Sequence, residues 1–234
     1  MSDIKTIAVV QHTSSEYLGL IEDHLEGRRI RFRYFRPFTS GGRLPQDREL
    51  GAGLVLLGGG SWGATAGPWR LPTLDAEIAL AREALSAGIP VIGIGLGATI
   101  LALAAGGEAH AAPLRFDVTT AERTADDALA GFLPPRYPLV RYLRDVALPP
   151  AAARVLARDA ANQPALFQFG GRAFGFTGHP GVKSAMVEDL VMEFPESPAA
   201  LQEGLTALRA QRTTLEDALV PIMTGLVSCT GLMD

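Results

Sequence analysis

Apolar residues fall along this chain in short runs broken by polar and glycine-rich stretches. Ile7-Ala8-Val9-Val10 closes on polar Gln11-His12-Thr13, as a buried parallel strand does at its carboxyl end. From Glu16 to Leu25, the positions Leu18, Ile21 and Leu25 recur at helical spacing and predict a helix. A second strand is expected around Ile30 to Phe35, and the Pro- and Gly-bearing stretch Arg36 to Arg48 reads as loop. Leu54-Val55-Leu56-Leu57 is the next buried strand and runs straight into Gly58-Gly59-Gly60. A helix follows Pro72-Thr73, with Asp75 and Glu77 near the positive end of its dipole and Leu74, Ile78, Ala81 and Leu85 on one face. Gly88 stops it. The strand Val91–Ile94 turns at Gly95-Leu96-Gly97 into an Ala- and Leu-rich helix, Ala98 to Ala105. Further on, Ala165–Phe169, the turn Gly170-Gly171 and Ala173–Phe176 read as a hairpin. In the tail, Ser197-Pro198 predicts a cap and first-turn proline for a helix carrying Leu201, Leu205 and Leu208. Thr213 to Glu216 has capping-box spacing for another, with Leu215, Leu219, Ile222, Met223 and Leu226 on one face.

Strands alternating with helices through short loops mean a parallel sheet covered on both faces. With 234 residues, 47% of them hydrophobic, the chain has material for one sizeable α/β core and an appendage. A net charge of −4 argues against a nucleic-acid footprint. The basic run Arg28 to Arg33 is interleaved with apolar residues, so it reads as a strand with one solvated face. The single cysteine, Cys229, excludes an internal disulfide and reads as a partly buried thiol. No Cys/His spacing suits a metal, and no cofactor is implied. The first ten residues lack the pattern of a signal peptide and no apolar run reaches a membrane span, so a cytoplasmic protein away from membranes is expected.

The turn Gly93-Ile94-Gly95-Leu96-Gly97 has the architecture of a nucleophile elbow. In such a turn small residues let one side chain stand clear of the backbone, and the helix beyond offers free N–H groups. The stretch Gly93 to Ala102 resembles the class I glutamine amidotransferase signature Gly-Ile-Cys-Leu-Gly-His-Gln-Leu-Leu-Ala. Gly58-Gly59-Gly60 is similar to that family's oxyanion loop, and Phe174 to Gly181 to its motif Tyr-Gly-Val-Gln-Phe-His-Pro-Glu. The order and spacing of all three agree, over roughly Ile4 to Glu193. The resemblance implies a flavodoxin-like three-layer sandwich with a mostly parallel central sheet and C-terminal helices. It divides the chain into an amidotransferase-like domain over 1–195 and a helical extension over 196–234.

In the family a cysteine attacks the glutamine amide, a histidine moves the proton, and a glutamate orients the histidine. Carried across, the cysteine position is Gly95, the histidine is His179, and the glutamate position is Gly181. Two of the three groups are missing, so no glutaminase activity is expected. The ligand-contacting positions that the resemblance implies are Gly59, Gly60, Gly95, Leu96, Thr99 and Thr177. Thr99 should lie about one turn from the tip of the elbow and lacks a poised base.

Several residues carry two readings. His179 is either a remnant held by packing or a ligand-binding group. His12 and Glu16, at the carboxyl end of the first strand, are either ordinary loop and cap residues or ligand contacts. Arg141 and Arg144 are either exposed loop arginines or, if turned into the old pocket, groups favouring an anion. The tail helices are core, a lid or a dimer contact. Two functions follow. One is a pseudoenzyme that binds a synthase or regulatory partner, or a small anionic or amino-acid-like ligand. The other is an enzyme of altered chemistry using the oxyanion loop, the elbow backbone and His179.

Overall fold

The computed structural model describes residues 4–65 and 67–233. Its elements in chain order are β1 (Thr6–Val10), α1 (Leu20–Glu26), β2 (Arg31–Phe35), β3 (Leu54–Leu56), α2 (Leu74–Ser86), β4 (Val91–Ile94) and α3 (Leu96–Ala104). There follow β5 (Glu108–His110), β6 (Arg115–Arg123), β7 (Arg136–Leu143), β8 (Val146–Leu148), β9 (Arg154–Asp159), β10 (Pro164–Phe169) and β11 (Ala173–Phe176). Three helices close the chain: α4 (Ser184–Glu193), α5 (Leu201–Ala210) and α6 (Arg212–Thr230).

A nine-stranded sheet runs in the order β2-β1-β3-β4-β11-β10-β9-β6-β7. From β2 to β11 the strands are parallel, and from β11 onward the pairings are antiparallel. The expected hairpin is β10–β11, with Phe167 opposite Gly175. The inner parallel strands β1, β3 and β4 are apolar at nearly every position because helices cover both faces, while the edge strand β2 keeps Arg31 and Arg33 outward. On one face α1 and α6 pack through Ile21, Leu25, Leu219, Ile222 and Leu226 onto Ile7, Val9 and Val55. On the other, α2 and α3 pack through Leu74, Ala81, Ile100 and Leu101 onto Ala8, Val10 and Leu56. A third apolar cluster joins α4 and α5 to the antiparallel half at Phe116, Val140 and Tyr142. The apolar faces of α5 and α6 therefore belong to the packed body.

Close approach of α3 to the sheet depends on two residues without side chains. A Cβ on Gly93 would run into the backbone of Gly97 and Ala98, and a Cβ on Gly97 into that of Leu56. The helix thus starts directly on top of the strand ends.

Four helix starts differ from the pattern-based expectation. Helix α3 begins at Leu96, two residues before the expected Ala98. The helix predicted from Glu16 begins at Leu20, because Gly19 (φ 63°) breaks the backbone and residues 13–19 fold inward as coil. Pro198 lies outside α5, whose cap is Ala200. Helix α6 begins at Arg212, ahead of the Thr213 capping box. Among the described residues no helix is long and apolar enough to cross a membrane.

Candidate functional site

The strand-to-helix turn after β4 is built as expected. Gly95 sits at φ 57°, ψ −117°, a conformation costly for any residue with a Cβ. Its N–H donates to the Phe176 carbonyl at 2.8 Å, which ties the turn to the end of β11. The first helical residue, Leu96, and the loop residue Gly59 each present a backbone N–H with no backbone acceptor among the described residues. Such free donors are what an oxyanion site consists of. A Cβ at Gly95 would press on Gly58 Cα at 3.3 Å and touch a Glu16 carboxylate oxygen at 3.8 Å.

That carboxylate is the main surprise of the site. Glu16 is 4% exposed, and its Oε2 accepts the Gly60 N–H at 3.0 Å. A Cβ on Gly58 would fall on the Glu16 carboxylate, so this glycine is what admits the side chain. Burial pushes the Glu16 carboxyl up to about 7, against the lowering effect of the Gly60 N–H and of His12. Glu16 is thus a coil residue turned inward, its carboxylate held by the chain itself.

The segment that carries Glu16 is anchored at several points. Glu193, at the end of α4, accepts the Ser14 N–H at 2.9 Å, the Ser15 N–H at 3.0 Å and the Ser15 hydroxyl at 2.6 Å. Thr13 Oγ1 accepts the Glu16 N–H at 3.0 Å. The Tyr34 hydroxyl accepts the Leu18 N–H and donates to Glu22.

His179 is a further anchor. Its Nε2 donates to the Tyr17 carbonyl at 2.7 Å, and its Nδ1 accepts the Gly181 N–H at 3.2 Å. Those partners fix the neutral Nε2–H tautomer, and burial holds the imidazole down at about 4. At Gly181, a Cβ would meet Ile21 Cγ1 at 2.8 Å and the Ile21 backbone N at 3.0 Å, so the start of α1 occupies the room that a side chain there would need.

The cavity left at the turn is about 20 Å³, room for one water molecule. Glu16, Gly95, Tyr142, Thr177 and His179 line it, together with apolar side chains such as Val140, Met186 and Leu190. The Thr177 hydroxyl donates to the Pro164 carbonyl at 3.0 Å. Thr99 is fully buried in α3 with its hydroxyl unpartnered, and it does not reach the cavity. Gly59 and Gly60 are hemmed in by Leu96 and Phe194 respectively.

Next to the site lies a pair that the sequence did not signal. His12 Nδ1 donates to the Gly58 carbonyl at 3.0 Å, and its Nε2 shares a proton with Glu77 at 2.6 Å, both side chains being fully buried. Burial opposes charge on His12, but Glu77 and the Gly58 carbonyl outweigh it and raise the imidazole above its ordinary value. Thr73 donates to the other Glu77 oxygen at 2.6 Å. His12 thus fixes the glycine loop to the start of α2. Only its place at the end of β1 hinted at this.

Neither arginine enters the old pocket. Arg141 lies within β7, paired with Asp117 at 2.9 Å and Asp159 at 2.7 Å. Arg144 donates to the Ser61 carbonyl at 2.6 Å and pairs with Glu196. Both are largely buried and partnered, so the exposed-loop reading fails along with the anion-pocket one. Cys229 lies on α6 against the opposite face of the sheet, and burial raises its thiol.

No protein-family model matches the chain. Over 168 residues it is 36% identical to the glutamine-hydrolysing GMP synthase of Aeropyrum pernix, a match covering 68% of this chain and 31% of that protein. The chain therefore spans about a third of the length of that relative. A glutamine amidotransferase structure from Methylobacillus flagellatus superposes with a TM-score of 0.82 at 23% identity, covering 97% of this chain and 96% of that one. One from Thermotoga maritima gives 0.69 at 22% identity, covering 98% and 95%. A GMP synthase subunit structure from Thermoplasma acidophilum gives 0.58 at 18% identity, covering 91% and 100%. At these identities the structural likeness is one of fold.

Proposed function

We propose that this class I glutamine amidotransferase-like chain does not hydrolyse glutamine and acts by binding a partner protein. One observation carries the reading: a single segment, 13–21, touches all three positions where the family's motif places its triad. Glu16 lies beside Gly95, the Tyr17 carbonyl takes the Nε2–H of His179, and Ile21 packs on Gly181. A cavity of about 20 Å³ is far too small for glutamine.

A synthase-type partner is the best-supported class, because the sequence relative is a glutamine-hydrolysing synthase of which the aligned region is only 31%. Residues 1–195 would form the amidotransferase-like domain and 196–234 an extension whose apolar face is part of its core. A cytoplasmic setting suits a chain with one cysteine. The alternative, an enzyme of altered chemistry, needs a free His179 ring, and both of its nitrogens are engaged.

Purified protein, alone and mixed with a synthase from the same organism, is expected to release no glutamate from glutamine, while light scattering of the mixture detects a complex. Steady turnover that survives purification, or the absence of any complex across candidate synthases, contradicts the corresponding half of the proposal.

A further inference from the structure

The glycine loop and the turn together hold a carboxyl group that comes from the chain itself. We propose that the Gly95 turn is a binding site for a small carboxyl group and that Glu16 is its resident, internal ligand. The inference rests on the reading that the turn has no nucleophile, and it adds the chemical class of what occupies it.

Three independent features define the site. The first is the donor: Gly60 N–H reaches one carboxylate oxygen at 3.0 Å. The second is shape. Gly58 lacks the Cβ that would fall on the carboxylate, a Cβ at Gly95 would only touch it at 3.8 Å, and the Gly58 carbonyl is engaged by His12. The third is the Tyr142 hydroxyl, which lies beside the Ser61 hydroxyl without a well-formed hydrogen bond, on a residue only 8% exposed that lines the same cavity as Glu16. A buried hydroxyl without a partner costs free energy, so a polar group in the remaining 20 Å³ would relieve it. This set suits a flat carboxyl group, one oxygen on the backbone donor and the other toward the cavity.

The charged and titratable groups around it come from several elements. His12 from the end of β1 and Glu193 from α4 act on Glu16 through space, while His179 beyond β11 lines the cavity in its neutral form. No arginine or lysine lines the cavity. The site should therefore prefer a monocarboxyl group, which can bind with its proton, over a strong anion such as phosphate.

Glu16→Ala deletes a CH2–COO fragment, which has the heavy atoms of acetate. Acetate at pH 6 is the probe. Glu16→Ala protein should bind it saturably, gain several degrees in Tm, and shift the Gly60 amide resonance. Native protein and Glu16→Gln, whose side chains still fill the space, should not respond. Phosphate and chloride at equal ionic strength should do nothing to any of the three. A folded Glu16→Ala protein that ignores acetate overturns the proposal, as does an equal response to phosphate or from the native chain. Should Glu16→Ala fail to fold, the Gly60 amide of the native protein is followed from pH 5 to 9. A titration present there and lost in Glu16→Gln supports the site, and its absence overturns it. Glutamate release by the acetate-bound variant would contradict the non-catalytic reading and leave the carboxyl site standing.

Discussion

At the scale of single residues, two buried titratable groups line the cavity at the Gly95 turn, Glu16 and His179, and they pull stability in opposite directions with pH. The native state holds a proton on Glu16 more tightly than the unfolded chain does, about 7 against 4.5, so stability falls as pH rises through that window. It holds one on His179 less tightly, about 4 against 6.5, so stability rises as pH climbs from 4 to 6.5. The two slopes oppose each other across the overlap. Glu16→Gln removes the falling one. Urea unfolding should show the variant gaining on the native protein by about 3 kcal/mol between pH 4 and pH 8. A gap that does not change with pH would mean Glu16 titrates like an exposed carboxylate.

At the scale of elements, the stretch between β1 and α1 does the unexpected work. It is coil because its polar groups are committed to distant partners: Ser14 and Ser15 to Glu193, Tyr17 to His179, Leu18 to Tyr34. Glu193→Ala removes the acceptor for both serine N–H groups. Hydrogen exchange at Ser14 to Tyr17 should accelerate tenfold or more, with β1, β3 and β4 unchanged, because only a local opening is made easier. Protection that stays as in the native chain would place the anchoring elsewhere.

This stretch also marks where the sequence stopped being legible. The parallel strands, α2, α3 and the β10–β11 hairpin follow from local periodicity, and the elbow follows from its glycines. Leu18, Ile21 and Leu25 fit a helix face equally well whether the helix starts at Glu16 or at Leu20. What decides the matter is contact with residues far along the chain. Glu16 meets Gly60, 44 positions away, and Ser15 meets Glu193, 178 away. The His12–Glu77 pair, 65 apart, escaped notice for the same reason. Glu77 satisfied the expectation of a first-turn acidic residue and gave no sign of being buried. Gly95 and Gly181 were readable because they depend on which residues are present; what packs beside them depends on how the chain folds back.

For the whole molecule, the layered body is packed through to the tail. The tail helix α6 lies in the same apolar cluster as α1 and the first strand, with Leu219 1% exposed. Leu219→Ala should cost about 2–5 kcal/mol by chemical denaturation, in the range of a buried leucine. A cost below about 1 kcal/mol would mean that α6 is docked loosely and free to act as a lid. The molecule keeps an amidotransferase-like frame and its own carboxyl group stands at the turn. The most direct test is glutamate release from saturating glutamine by the purified native chain, with and without a synthase partner. No release above buffer is predicted in either case. Saturable release that disappears when a residue of the Gly95 turn is substituted would contradict the account.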